Sequence, residues 1–481
     1  MAEKVLVYGA AAGPVGLSPS LTNDSASSNA NSQMYETLFR RNYETNEIEP
    51  LLALSYENPD DTTYVIKLRE GVKFHDGTDF NAAAVKFTIE RMMDPAVASP
   101  RASLWESVES VEVADEHTVV IKLKRPDGLF LANLTHDNSA IVSPTAVAKY
   151  GNLMQNPVGT GPFKFESMVT NDSLTMVRND DYWGTPAKLD KIVFRVIPEA
   201  ATRIAMLETG EVDFIDNIPP EQLPRLQFNP DIRVQTSTGT PIRYLSFNFD
   251  KEPWKNKLVR QAVAYALDID ALVSTFDGLA VRSDSIIGPQ VFGYKPEAEE
   301  HGYEYNPEKS KALLAQAGFP NGFRTTLWAS NSSEDYVRAA QIIQAQLRQV
   351  GIQADLKILD WGAYLDATLT GETDMFLLGW SNLTQDGSGM LYPNLHSANA
   401  GASNRSFYRN PEADKLIEAS QLSIDQDERL ELLHQANLFL MEDVAMVPLW
   451  HQVNTIAMRE RVTGLIQGPT ADWELYPVDV R

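Results

Sequence analysis

The sequence predicts an α/β protein of several domains, and three observations carry that expectation. At 481 residues the chain exceeds what one hydrophobic core serves, so two or three domains are expected. Strand-like runs recur: KVLVYGA near the start, GIQADLKIL, and MFLLGW at 375–380, whose unbroken apolar character fits a strand buried on both faces. Between such runs lie segments with apolar residues at helical spacing, among them NPEKSKALLAQAG and DYVRAAQIIQAQLRQVG.

In chain order, KVLVYGA is followed by GLSPSLTNDSASSNANS, whose short polar side chains predict a long loop before a helical QMYETLF. TTYVIKL at 62–68 and HTVVIKL at 117–123 are two similar alternating strands. DFNAAAVKFTIERMM between them reads as a helix with Asp79 or Asn81 as its cap. These make a compact α+β unit from about residue 41 to 158. PVGTGPFKFE is a Gly/Pro turn entering a strand, and no lysine follows it in a phosphate-loop frame. TRIAMLETGEVDFI predicts a helix stopped by Gly210 and then a strand. VRQAVAYALDIDALVSTF reads as one helix, NPEKSKALLAQAG and DYVRAAQIIQAQLRQVG as helices stopped by Gly318 and Gly351, and DERLELLHQANLFLMED as a further helix before the strand VAMVPLWHQ.

Composition narrows the function. Lys and Arg number 41 against 65 Asp and Glu, a net charge of −24, which repels nucleic acid and anionic membrane. No apolar run approaches a membrane span. With no cysteine, the chain has no disulfide, thiolate nucleophile or cysteine metal site. MAEKVLVYGA lacks a basic segment followed by an apolar one, so no signal peptide is read there. The seven histidines show no HExxH spacing, no GxSxG elbow is present, and the pairs Asp60–Asp61 and Asp180–Asp181 sit in polar turns. No catalytic residue, metal ligand or cofactor motif emerges, which leans the reading toward a binding protein.

The stretch DMFLLGWSNLTQDGSG at 374–389 carries the most functional information. A buried strand ending in Trp380 and spilling into Ser381, Asn382, Asp386 and two glycines is either a core strand with its loop or a ligand pocket at a strand's carboxyl end.

Several separate stretches then match one family. YETLFRRNYETNEIEPLLALSYE, YVIKLREGVKFHDGTDFNAAAVKFTIER, NPVGTGPFKFE, NDDYWG, LETGEVDF, VRQAVAYALDIDALV, NPEKSKALLAQAGFPNGF and FYRNPEADKLIEAS resemble, collinearly and over essentially the whole chain, the solute-binding proteins of peptide-type ABC importers. That family includes dipeptide, oligopeptide, glutathione and nickel-chelate receptors. The resemblance implies a periplasmic-binding-protein-like clam of type II, two α/β lobes closing by a hinge, with an extra inserted α+β domain. Domain I would comprise 1–40, 159–247 and 452–481, domain II 41–158, and domain III 248–451. It implies no enzymatic activity and no cofactor. It implies a monomer that delivers a small molecule or short peptide to membrane permease subunits. Its place would be extracytoplasmic, in the periplasm or as a surface lipoprotein, with a signal segment on the natural precursor.

The resemblance also places a pocket. Trp380 would pack on the ligand backbone, with groups around Ser381 and Asn382 pairing with it. Peptide receptors usually carry an aspartate three residues after this tryptophan for the α-ammonium, where this chain has Leu383. Dipeptide receptors carry an arginine for the carboxylate in the segment matching LWASNSSEDY, which here offers Ser330, Asn331 and Ser332. An ordinary dipeptide held at both ends is therefore not expected, since losing one member of a buried charge pair costs a few kcal/mol. A short peptide or glutathione-like solute is. Asp386 would then meet an ammonium, and Arg405, beside Asn404 in ASNRSFY, either a carboxylate or a structural acid. Asn23 beside Asp24, Asn138 beside His136, Tyr364 beside Trp361, and Arg101 complete the candidates, each with a structural reading open beside it. Opine-like conjugates, oligosaccharides and metal chelates are the alternative ligands, and a peptidase the alternative class.

Overall fold

A computed structural model describes residues 3–43, 45–382 and 384–481. The chain divides into two compact units, Met1–Ser237 with Asn454–Arg481, and Thr238–Val453. It passes between them inside two long strands, Ile232–Phe247 and Val447–Arg459.

In the first unit, Val5–Ala10 pairs in parallel with Lys191–Val196 and with Phe214–Asp216. Ser173–Arg178 and Phe163–Val169 extend the sheet antiparallel, and residues 456–458 pair with Phe214–Asp216. The aromatic rings of Tyr8, Phe194, Phe214 and Trp473 meet at centroid separations of 4.6 to 5.5 Å beneath it. Within residues 41–158 a second, antiparallel sheet runs in the order Ala53–Asp60, Thr63–Leu68, Thr118–Leu123, Val108–Asp115. The helix Ala82–Met93 begins where the Asn81 side chain accepts the Ala84 amide, and buries Val85, Ile89 and Met92 against Ile66, Val119 and Ile121. That segment thus has a core of its own.

Two expected elements differ. SASSNANS, read as loop, lies in the helix Ser25–Met34, which takes only Gln33 and Met34 from the expected helix QMYETLF; the rest of that stretch is not helical and ends in the strand Phe39–Arg41. Asp24 caps that helix by accepting the Ser27 amide, and Ser27, Ala30, Asn31 and Met34 face inward, so tertiary burial overrides weak local propensity. The single helix expected over VRQAVAYALDIDALVSTF is broken into Lys257–Ala266 and Ile269–Val273, because Asp268 turns outward to cap the second piece at the Ala271 amide.

In the second unit the strands run in the order Ile352–Leu359, Phe323–Ser330, Met375–Trp380, Ile232–Phe247, Val447–Arg459. The first three are parallel, so Leu359, Ser330 and Trp380 finish toward one edge. Alternation explains the unbroken apolar run. Met375 and Leu377 enter one core with Leu245 and the helix Glu334–Gln349, whereas Phe376 and Leu378 enter another with Ile242, Tyr244 and Leu433.

Candidate functional site

The carboxyl edge of that sheet is where the second unit concentrates its special side chains. Trp380 ends its strand half-buried, and its indole Nε1 donates to the Gly389 carbonyl at 2.8 Å. This bond fixes the ring against the start of the helix Ser388–Leu395. Ser381 follows, exposed. On the neighbouring strand end, Asn331 is also exposed, while its backbone amide donates to the Leu359 carbonyl at 2.9 Å.

Asp386 does not do what its sequence context led us to expect. Its side chain is 2% exposed, and its two oxygens accept from Arg429 Nη1 and Nη2 at 2.6 Å each. The same carboxylate accepts the Ser388 amide at 2.9 Å, and Arg429 Nε and Nη2 reach the Ser420 carbonyl and Ser388 Oγ at 2.8 Å. No oxygen faces outward for an ammonium. The pair instead staples the loop from below: Asn382 Nδ2 donates to the Asp386 carbonyl at 2.7 Å, and the Phe292 backbone brackets Gln385 and Gly387. The Asn382 side chain, buried, is spent on this loop, and Leu383 lies outside the described residues.

Arg405 and Asn404 are corrected likewise, and Tyr364 takes the core reading left open for it. Arg405 places Nη1 on the Leu365 carbonyl and Thr368 Oγ1 at 2.6 and 2.7 Å, so it braces the second half of the helix Trp361–Leu369, with no acid beside it among the described residues. Asn404 is fully buried and ties the His396 and Tyr408 carbonyls together. Tyr364 is fully buried, its hydroxyl donating to the Leu377 carbonyl, so it fills core, while Trp361 stacks on it from the exposed side.

The first unit holds the other candidates. Asn23 is exposed in its loop, next to the capping Asp24. Asn138 is buried, its Nδ2 donating to the Pro19 and Thr22 carbonyls at 2.5 and 2.7 Å, so it moulds that loop from behind. Beside it, burial works against the Asp137 carboxylate, but the hydrogen bond and charge of His136, with Ser28 and the Asn138 amide, hold it down to about 2. Arg101 is half-buried ahead of the turn Ala102–Trp105, without an acid within ion-pair distance among the described residues. Among the described residues no group of three or more His, Asp or Glu is placed to hold a metal, and no helix is long and apolar enough to cross a membrane.

Sequence reasoning passed over Arg243. It lies in the strand Ile232–Phe247 directly opposite Gly379, on the same sheet edge as Trp380. The signal was a lone charge in the otherwise buried run IRYLSF.

A family model described as bacterial extracellular solute-binding proteins, family 5 Middle, matches residues 47–402. The chain belongs to this family. It is similar to the heme-binding protein A of Haemophilus influenzae, 33% identical across 99% of this chain and 92% of that protein. It is similar to the glutathione-binding protein GsiB of Shigella flexneri, 35% identical across 97% of this chain and 92% of the relative. Among solved structures it matches the ABC transporter-associated periplasmic binding protein DppA from Helicobacter pylori in complex with the peptide STSA, 32% identical with a TM-score of 0.75, covering 99% and 98% of the two chains. The solute-binding family and the type II periplasmic-binding-protein fold class expected from the sequence are thus shown, and the chain is a solute-binding protein of the peptide-type importers.

Proposed function

We propose that this protein captures a short peptide or glutathione-like solute at the Trp380 edge of its second unit and delivers it to ABC permease subunits without chemically altering it. The observation that carries the reading is the stapled loop. A buried Asp386–Arg429 pair, the Asn382 bond and the Trp380–Gly389 bond hold a half-buried indole and the exposed Ser381 in fixed positions at a strand end. A loop held from beneath by a buried ion pair is pre-organised, which spares the ordering cost of binding. A rigid aromatic beside polar backbone suits a ligand that is part apolar and part zwitterionic. The names of the relatives support the same class, since glutathione and the peptide STSA are both small peptides.

Residues 41–158 are its added domain, with the core described above, and the working form is a monomer outside the cytoplasm, periplasmic or surface-anchored. Ser381 and Asn331, exposed at the edge, contact the solute, and Asn23, exposed in its own loop, is a further candidate for solute contact. Native mass spectrometry of the purified protein identifies any co-purified solute, and calorimetric titration with glutathione, trialanine and hemin ranks the classes. Tight hemin binding with neither peptide bound would replace this reading by a heme receptor. Cleavage of a bound peptide would overturn the receptor role.

A further inference from the structure

We infer that Arg243 is the residue that selects the solute by a carboxylate, so that the protein is a receptor for carboxylate-bearing, net anionic or zwitterionic solutes. The inference rests on the reading above that the Trp380 edge is the binding site. It assigns the charge recognition there to a residue on a different strand from the loop.

Arg243 shares its sheet face with Gly379, its partner across the strand pair, whereas Trp380 faces the other way with Ile242. The two side chains therefore straddle the edge of the sheet. The neighbours Ile242, Tyr244, Leu245, Ser246 and Phe247 are all buried, yet Arg243 is half-exposed. Gly379 makes room for it. A Cβ at that position would lie 2.6 Å from Arg243 Nη1 and 2.8 Å from the Tyr336 hydroxyl. The bare glycine thus lets a guanidinium and a phenol lie side by side over the strand. Tyr336 supports the guanidinium from its ring face, the Arg243 Cζ standing 5.6 Å from the ring centroid.

What the guanidinium touches is sparse. Nη2 donates to Gln452 Oε1 at 3.2 Å, and Nη1 reaches the Ile242 carbonyl only at 3.5 Å. Among the described residues no carboxylate comes within ion-pair distance of it. Buried arginines elsewhere in the unit are used differently. Arg260 donates to the Val444, Trp254, Lys255 and Asp443 carbonyls and to the Asp443 carboxylate, and Arg429 is filled by Asp386, Ser388 and Ser420. A guanidinium carries five N–H donors in a planar fork that matches a carboxylate. Arg243 keeps most of that fork unspent, held in place by an aromatic ring and a neutral amide.

That arrangement recognises an anion. It also accounts for an anchor that the family resemblance led us to miss. The position that usually holds an ammonium-binding aspartate is Leu383, and the acid that seemed to replace it, Asp386, is consumed by Arg429. With Arg243 as the cation beside the Trp380 strand end, opposite Gly379, the second unit recognises the acidic end of a solute rather than its amino end. Glutathione with two carboxylates, heme with two propionates and a peptide with its terminal carboxylate share this group.

The test is calorimetric titration of the whole chain with glutathione and with trialanine, each as the free acid and as carboxyl amides. Glutathione is used as both of its monoamides. The parent should bind the free acids about 30- to 100-fold more tightly than the amide that removes the recognised carboxylate, the loss expected for a charge-assisted pair. Arg243→Gln, checked for an unchanged melting temperature, should bind the free acids that much more weakly and lose the preference for acid over amide. Arg243→Lys should restore part of it. Arg243→Gln binding the free acids as the parent does, or weakening acid and amide alike, overturns the assignment of Arg243 while leaving the peptide reading intact. A parent that binds neither glutathione nor trialanine overturns the ligand class itself, and the Arg243 assignment with it.

Discussion

Replacing Asp386 by Asn separates a structural acid from a ligand-binding one. The substitution keeps the shape but removes the charge facing Arg429, whose side chain is 1% exposed. Two charge-assisted bonds of 2.6 Å are weakened, while Arg429 Nε on Ser420 and Nη2 on Ser388 Oγ remain. Each charged hydrogen bond contributes about 1.5–3 kcal/mol, and breaking a buried pair by removing one partner costs about 3–5 kcal/mol, so a loss near 3 kcal/mol is expected for the conservative amide. For a folding unit the size of residues 238–453, about 2–4 °C of melting temperature accompanies each kcal/mol, giving a fall of about 6–12 °C in that unit's transition. Differential scanning calorimetry measures it, and titration with glutathione well below the lowered transition measures binding. Affinity should stay within a few-fold of the parent, because the carboxylate faces inward. A variant that melts like the parent but loses affinity would mean that Asp386 holds the solute and that the staple is not its role.

Trp380→Ala removes a half-buried aromatic with its bond to Gly389, and should weaken glutathione binding by about 2–4 kcal/mol without unfolding the chain, as titration and circular dichroism together would show. Gly159→Ala should be strongly destabilising, since a Cβ there would sit 2.2 Å from the Met34 carbonyl oxygen, a backbone atom that cannot step aside; normal expression and melting of the variant would contradict this. Burial pushes His75 and His451 down to about 4 from 6.5, against backbone hydrogen bonds that favour their protonation. Their folded pKa values lie below the unfolded ones, so the neutral forms stabilise the fold above pH 6.5 and that stability drains as pH falls from 6.5 toward 4, by about 3 kcal/mol for each ring. His451→Asn should flatten the pH dependence of the melting temperature in that window, and an unchanged slope would mean that the buried ring is not the group that titrates.

Much of the architecture was readable because its signals are local. Asn81 capping Ala84, Gly210 with φ of +86° ending its helix, and the alternating pair Thr63–Leu68 and Thr118–Leu123 are each encoded within a few residues. The helix Ser25–Met34 was hidden because its stability comes from what it packs on, not from ten residues that include four serines and two asparagines. The site was legible in outline through Trp380 and its polar loop. The roles inside it were not, because partners distant in sequence set them. Nothing near Asp386 announces Arg429, 43 positions on, and nothing near Arg405 announces the Leu365 carbonyl, 40 positions back. Arg243 was visible as a charge in a buried strand, but only Gly379 and Tyr336 across the fold show that it is held in place and unspent.

A receptor with a net charge of −24 that recognises a carboxylate poses an electrostatic question which the position of Arg243 answers. At physiological salt the field of distant acids fades within about 8 Å, so an approaching anion meets the whole-chain charge only as a modest drag on its association rate. Once at the edge it meets a guanidinium whose neighbours there are Tyr336, Gln452 and a glycine, with no acid in ion-pair range among the described residues to neutralise it. Affinity is then set locally and association is resisted globally. Raising ionic strength should therefore speed the binding of glutathione while weakening its retention, two opposing effects that stopped-flow tryptophan fluorescence separates. A rate of association that falls with added salt would mean that positive charge at the edge steers the solute in and outweighs the net charge of the chain, contrary to the global resistance argued here.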